Sequence, residues 1–366
     1  MKIAIVTELY LPSIGGQQVR YAELGKRLAA RGHAVDVFTI AHQPGLPAEE
    51  HDGGVRVVRL VSSPRYQRKG GLLSRDVGAI VRFSLALLAR LGTLRGYDLV
   101  LFNQWPVLPQ IVCGPLLGRR AAVDWCEIRS SRFWTVLNTL MARSCRRHLC
   151  VSEAIGQVLV SKFGRRRDRV AAVLSGIESA LYAAAPQDKE DGLVLFLGRL
   201  SDHKNPGLLL AAFAADPELS ARCRLVLAGD GEQFDELKER ARGMASVSLP
   251  GLVSDAEKVA LLKQAALLVL PSRREGFPRV IAEAAAAGTP TVTVHYPDNG
   301  SVHVVGKYGL GWVCAPDAAA LAATIREHVR KDAAWEETSR RGVEAAARIF
   351  DWEAVIAAFL GFFAKP

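Results

Sequence analysis

The chain has 366 residues, of which 49% are hydrophobic and 23% charged, with a formal net charge of +10. That balance belongs to a globular protein with apolar material for two cores, and it excludes a disordered chain, a coiled coil and a collagen-like repeat. No apolar run approaches the ~20 residues of a membrane-spanning helix. The opening segment, with Lys2 and Glu8 around a short apolar stretch, is too short for a signal peptide, so a soluble, cytoplasmic protein is expected.

Charge is uneven along the chain. Residues 1–185 hold 26 Lys and Arg against 13 Asp and Glu, while 186–366 hold 21 against 24. The basic clusters are Arg65/Arg68/Lys69, Arg119/Arg120, Arg143/Arg146/Arg147 and 165–169. They read either as a solvated face or as a face for an anionic membrane or a phosphate-bearing acceptor. Aromatics are not interleaved with them, which argues against nucleic acid. The six cysteines, at 113, 126, 145, 150, 223 and 314, form no Cys-x-x-Cys pair and no zinc-like spacing with histidine. They read as reduced core residues.

Apolar strand runs alternate with helical patterns from the first residues onward, which predicts parallel α/β units. Strands are expected at Lys2–Thr7, Val35–Ile40, Val55–Leu60, Asp98–Phe102, Ala121–Trp125 and His148–Val151, with a helix over Val19–Arg31 and an amphipathic stretch over Val77–Leu91. The pattern restarts with strands at Leu193–Leu197, Leu225–Ala228, Ser246–Leu249, Leu267–Leu270 and Thr291–Val294. Helices are expected between them over Asn205–Ala215, Phe234–Arg242, Ala256–Gln264 and Arg279–Ala287. Ala183–Gly192 lacks apolar periodicity and reads as a linker. The expectation is two Rossmann-like, doubly wound parallel-sheet domains, 1–186 and 187–350, with a tail helix in 351–366 able to fold back on either.

Three segments carry chemistry. Gly15-Gly16 lies between the first strand and helix, where backbone N–H groups could approach an anion; a structural turn reads equally well. Arg199 and Lys204 follow the strand Leu193–Leu197, at the end of an open α/β sheet where ligands bind, and two cations there suit a diphosphate. Between Ser272 and Glu283, Gly276 and Pro278 predict a tight turn into a helix whose first N–H groups, over Phe277, Arg279 and Val280, face an anion. Glu275 precedes that helix. Glu283 sits on its otherwise apolar run and needs hydrogen-bond donors, which ribose hydroxyls would supply.

Together these residues resemble family 4 retaining glycosyltransferases of the GT-B fold. The resemblance rests on Gly-Arg-Leu-x3-Lys at 198–204, Leu-Ala-Gly-Asp-Gly-Glu at 227–232, Pro-Gly-Leu-Val at 250–253, and Glu275-x7-Glu283 followed by Ala-Ala-Ala-Ala-Gly-Thr-Pro at 284–290. It implies two domains facing a cleft, 1–186 on the acceptor side and 187–350 binding the nucleotide sugar, with Arg199, Lys204 and Gly231 at the donor diphosphate. It also implies Glu283 on the ribose, Glu275 with the 277–280 backbone on the transferred sugar, Gly15 and Gly16 approaching from the first domain, and Leu252 and Val253 near the base. The tail helix is then implied to return to the first domain. No cofactor or metal is implied, only a nucleotide-diphosphate sugar as co-substrate, with UDP the nucleotide expected first. The acceptor would be a small molecule or a lipid-linked glycan.

Ala122-Val123-Asp124-Trp125-Cys126-Glu127 resembles a segment in which members carry His where Cys126 stands, so Cys126 and Glu127 are the catalytic candidates of the first domain. Cys126 as plain strand packing stays open. His303 stands where Glu is usual. The expected function is transfer of a hexose-type sugar with retention. The alternatives are a sugar-nucleotide epimerase on the same fold, and a catalytically degenerate binding or scaffold protein.

Overall fold

The computed structural model describes residues 1–13, 15–66, 75–128, 131–185 and 188–364. Arg68 and Lys69, and the expected boundary at 186/187, lie outside the described residues. The chain divides into two compact units: Met1–Val173 with Ile356–Pro366, and Leu174–Val355.

The first unit is built on eight strands, β1 (Lys2–Val6), β2 (Ala34–Ala41), β3 (Glu49–Asp52), β4 (Val55–Ser62), β5 (Leu99–Asn103), β6 (Ala121–Trp125), β7 (Arg147–Cys150) and β8 (Val170–Ala172). Their spatial order is β3-β4-β2-β1-β5-β6-β7-β8. All pairs are parallel except β3 with β4. β1, β5 and β6 are apolar runs buried along nearly their whole length, the pattern of strands covered on both faces. β3 reads Glu-Glu-His-Asp, so apolar periodicity cannot reveal it. It exists as the exposed antiparallel edge, where one face of solvent tolerates charge. The strand order reverses at β1, which places the loops after β1 and β5 at a topological switch point.

The second unit repeats the logic with β9 (Leu193–Leu197), β10 (Arg224–Ala228), β11 (Val247–Gly251), β12 (Leu267–Leu270), β13 (Arg274–Glu275), β14 (Thr291–Val294), β15 (Asp298–Asn299) and β16 (Gly311–Cys314). Six of them form a parallel sheet in the order β11-β10-β9-β12-β14-β16, and β13 pairs separately with β15. Here the switch point is β9, between β10 and β12. The helix Arg279–Ala286 sits behind the sheet with Ile281, Ala282 and Ala284–Ala286 buried.

The stretch expected as a linker is partly core. Lys189 is buried, and its ammonium donates to the Leu262 carbonyl at 3.0 Å and to the Thr289 hydroxyl. The helix Trp352–Ala364 begins in the second unit, where the Trp352 indole lies so close to Gly176 that a Cβ there would fall 2.3 Å from it. The helix ends in the first unit, where the Arg147 guanidinium reaches the Phe363 carbonyl at 3.4 Å.

Burial pulls the Lys189 pKa down to about 7 from 10.5. In the unfolded chain the ammonium holds its proton up to about pH 10.5, so between pH 7 and 10.5 the unfolded state binds more protons and stability from this group rises with pH. Urea midpoints of the wild type should therefore gain on those of Lys189→Met as pH is raised from 7 to 10, and parallel curves would show that the amine is not buried.

Candidate functional site

The carboxyl ends of the second unit's strands are stitched into one surface. After β9, Leu200 donates its N–H to the Asp230 carbonyl at 2.9 Å, and Gln233 donates to the Leu200 carbonyl at 3.1 Å. The Gly229 N–H reaches the Gly251 carbonyl at 2.8 Å, and the Arg273 N–H reaches the His203 carbonyl at 2.8 Å. These four bonds tie the loops after β9, β10, β11 and β12 together. The approach of the first two is close: Gly229 has φ +143°, and a Cβ there would stand 1.9 Å from the Gly198 carbonyl oxygen.

On this surface the structure brings together most of the donor residues expected from the sequence. The Lys204 ammonium bonds Glu275 Oε1, which also accepts from the Ser272 hydroxyl at 2.9 Å. Glu275 lies on β13, and the loop is clamped by the Gly300 N–H to the Glu275 carbonyl at 2.8 Å. Immediately after it the helix Arg279–Ala286 begins, with Pro278 as N-cap and no side chain bonded to its first turn. The Ile281 N–H returns to the Pro278 carbonyl at 3.0 Å, and the N–H groups of Arg279 and Val280 lead the helix without a side-chain cap.

Glu283 points from the second turn of that helix and is buried. The donors it was expected to need are supplied in part by the protein: Lys258 Nζ at 3.4 Å and Arg279 Nη2 at 3.7 Å from Glu283 Oε1. Burial lowers the Lys258 pKa, but Glu283 and Tyr182 outweigh it, so the net shift is upward and the cation is secure. Lys258 stands on the helix Asp255–Gln264, which starts with a capping box between Ser254 and Glu257. Tyr182 and Lys258 were missed from sequence because neither belongs to a local motif.

Arg199 extends into solvent with Glu232 3.7 Å away, and Leu252 is 79% exposed. Gly231 packs under the Leu200 carbonyl, and Val253 packs on the core. His303 lies in the helix Ser301–Tyr308.

In the first unit Gly15 is the N-cap of the helix Gly16–Ala30, again without a side-chain cap, and a Cβ on Gly16 would meet nothing within 4 Å. Cys126 and Glu127 follow β6. The Gln104 amide oxygen accepts from the Cys126 N–H at 2.9 Å, the Cys126 thiol at 3.1 Å and the Glu127 N–H at 3.0 Å. Burial, then Glu127 and Asp124, push the Cys126 pKa up, so the thiol keeps its proton and acts as a donor, not as a thiolate nucleophile. Beneath it the buried Asp124 accepts from Arg20 at 3.1 Å and from the Tyr21 hydroxyl at 3.0 Å. Burial raises the Asp124 pKa against the pull of Arg20.

Two parallel α/β units with charged loops and uncapped helix starts at the carboxyl ends of their strands define a GT-B protein. Residues 14–181 match Glycosyltransferase Family 4 and residues 181–348 match Glycosyl transferases group 1. The chain belongs to this glycosyltransferase family. It is similar to a glycogen synthase of Mycobacterium tuberculosis H37Rv, with 29% identity covering 98% of this chain and 93% of that one. It is also similar to a mannosylfructose-phosphate synthase of Agrobacterium fabrum, with 25% identity covering 93% and 84%. Among solved structures it shares the fold of sucrose-phosphate synthase from Thermosynechococcus elongatus, with TM-score 0.79, 21% identity and coverage of 100% and 98%. It likewise shares the fold of HepE from Anabaena in complex with UDP and glucose, with TM-score 0.76, 19% identity and full coverage of both chains.

Gly229→Ala forces a backbone clash that no side-chain rotation relieves. It should destabilise the second unit by about 2 kcal/mol or more, seen as a thermal midpoint lowered by several degrees.

Proposed function

We propose that the protein transfers a hexose-type sugar from a nucleoside-diphosphate sugar, UDP being the nucleotide we expect first, to a hydroxyl acceptor with retention and without a metal. The observation that carries this reading is the uncapped start of the helix Arg279–Ala286, flanked by the Lys204–Glu275 pair on one side and the buried Glu283 on the other. UDP is favoured because the related HepE fold holds UDP-glucose. Metal independence is supported by the absence of any Asp-x-Asp triplet from the sequence.

In this reading the diphosphate lies at the helix start. As the bond to the anomeric carbon stretches, charge grows on the leaving diphosphate, and Lys204, Arg199 and the 277–280 backbone meet it there. Glu283 accepts from the ribose hydroxyls beside its long contacts to Lys258 and Arg279. Glu275 accepts from hydroxyls of the transferred sugar. Retention follows if the acceptor attacks from the leaving-group face and gives its proton to the departing diphosphate, so no protein nucleophile is needed. That agrees with a Cys126 thiol held in its neutral form. In a thermal-shift series of UDP-, GDP- and ADP-sugars, one donor at ~100 Kd should raise the midpoint by several degrees, and Glu283→Ala should abolish the rise. Lys204→Ala should lower the transfer rate ~10²-fold. No shift with any donor would leave a binding or scaffold protein as the better reading.

We also propose peripheral contact with an anionic membrane, where a lipid-linked acceptor would be met. No helix among the described residues is long and apolar enough to cross a membrane. The helices Val77–Ala89, Val107–Leu117 and Arg132–Ser144 lie side by side and contain no acidic residue. They expose Val77, Val81 and Leu85 on the first, Leu116 on the second, and Phe133, Val136 and Leu140 on the third. Arg82, Arg90, Arg119, Arg120, Arg143 and Arg146 are exposed among and beside them. Sedimentation with phosphatidylglycerol vesicles should be strong at 50 mM salt, weak at 200 mM, and reduced by Phe133→Ser; binding that ignores salt, or none, would overturn the contact.

A further inference from the structure

The amino ends of β9 and β10, at the far end of the second sheet from the donor loops, border a cavity of about 430 Å³. Arg222, Arg326, Arg330 and Lys331 line it together with Asp191 and Glu218. The loops before the two strands touch closely here. The Arg224 N–H reaches the Gly192 carbonyl at 2.9 Å, and a Cβ on Gly192, whose φ is +75°, would fall 2.5 Å from the Arg222 carbonyl oxygen. Glycine at this position therefore lets Asp191 and Arg222 reach the same cavity. Glu218 spans two guanidiniums: its Oε1 lies 2.9 Å from Arg222 Nη1, and its Oε2 accepts from Arg326 Nη1 at 2.7 Å. Arg326 Nε lies 3.2 Å from Asp216. Lys331 Nζ lies 2.7 Å from Asp191 Oδ1 and donates to the Lys189 carbonyl at 3.1 Å. Arg330 is different. Its carbonyl accepts the Asp332 N–H at 2.9 Å, which fixes the backbone, yet its exposed guanidinium has no hydrogen-bond or ion-pair partner among the described residues. Helix ends draw cations, which accounts for Arg222 and Arg326 in the last turns of Pro217–Arg222 and Ala318–His328. Arg330 lies beyond the second helix and has no such reason to be there.

We propose that this cavity is a binding site, separate from the donor face, for a small phosphate monoester that carries hydroxyl groups. The site does not depend on the transferase reading. A phosphate dianion needs N–H donors in excess of the carboxylates around them. Arg330 supplies them outright, and Arg222 meets Glu218 through Nη1 while its guanidinium has five N–H groups in all. Such planar forks match two phosphate oxygens at once. The ion pairs already present are half exposed and contribute little by themselves, so their spare donors are available to a ligand. The acids have their own use. Asp191 has Oδ1 on Lys331, which leaves Oδ2 to accept from a ligand hydroxyl. Cys223 and Val329, both buried, give the carbon skeleton an apolar floor. A cavity of this size holds a metabolite and not a macromolecule. The mixture of surplus cations with an open carboxylate favours a hydroxylated ester over a bare anion.

The test titrates the full chain by calorimetry with glycerol 3-phosphate, ribose 5-phosphate and fructose 6-phosphate. Inorganic phosphate, sulfate and uncharged ribose, at matched ionic strength, are the comparison probes. At least one ester should bind with a Kd of about 1 mM or below, about fivefold tighter than inorganic phosphate, and should raise the thermal midpoint. Arg330→Ser should weaken that ester about tenfold, Arg330→Glu should abolish its binding, and Arg330→Lys should recover part of it. Asp191→Asn should narrow the margin over inorganic phosphate. Lys204→Ala, on the donor face, should leave the affinity for the ester unchanged. The proposal is overturned if no ester binds, if sulfate or ribose binds as well as the esters, or if Arg330→Ser leaves the affinity unaltered. Binding that survives Arg330→Ser and is lost in Lys204→Ala would also overturn it, because the ester would then sit among the donor loops.

Discussion

Near the carboxyl ends of the two sheets, carboxylates taken out of water are each held in place by one or two cations. Glu275 has Lys204, Glu283 has Lys258 and Arg279, Asp124 has Arg20, and Glu8 has Arg75. Each buried ion carries a desolvation penalty of several kcal/mol, so none of these pairs is there to stabilise the fold cheaply. What they provide is placement. A buried pair has few geometries in which its hydrogen bonds are satisfied, so the loops that bear it are held to those geometries. Glycines such as Gly229 then let neighbouring loops touch closely enough to share one surface.

The same pairs explain how a polar ligand could be received without rebuilding the site. Lys258 and Arg279 stand at 3.4 and 3.7 Å from Glu283, close enough to balance its charge and too far to saturate its oxygens. A hydroxyl can therefore insert against the carboxylate while the cations stay where they are. In the first unit the Asp124 pair is different. Arg20 and Tyr21 both bond its Oδ2, Arg20 also donates to the Val173 carbonyl at 2.8 Å, and Oδ1 is buried with no hydrogen-bond partner among the described residues.

Legibility in the sequence followed distance along the chain. Strands covered on both faces, such as β1, β5, β9 and β12, announce themselves as unbroken apolar runs, and the two-unit α/β architecture follows from their alternation with helical patterns. β3 was invisible because an exposed edge strand of four polar residues has no apolar period, and β13 and β15 because two-residue strands exist only through each other. Among site residues, Glu275, Glu283 and the glycines fall within short motifs whose spacing is itself the signal. Lys204 needs only the strand before it. Tyr182 and Lys258, which act on each other and on Glu283, come from separate segments, and no local pattern joins them. Lys189 was misplaced in a linker because polarity alone does not separate an exposed stretch from one whose lysine turns inward to two oxygen acceptors.

The division of the last helix between the two units has a consequence for biosynthesis. The second unit is one continuous segment, complete in the nascent chain once Val355 has been made, whereas the first unit is interrupted by it and still lacks residues 356–364 at that moment. Emerging from the ribosome, the earlier domain must therefore wait for the later one. Its sheet can pair at once, but the surface that receives the Phe359 and Phe363 rings stays open until those residues have been made. The order of translation and the order of domain completion run in opposite directions along this polypeptide.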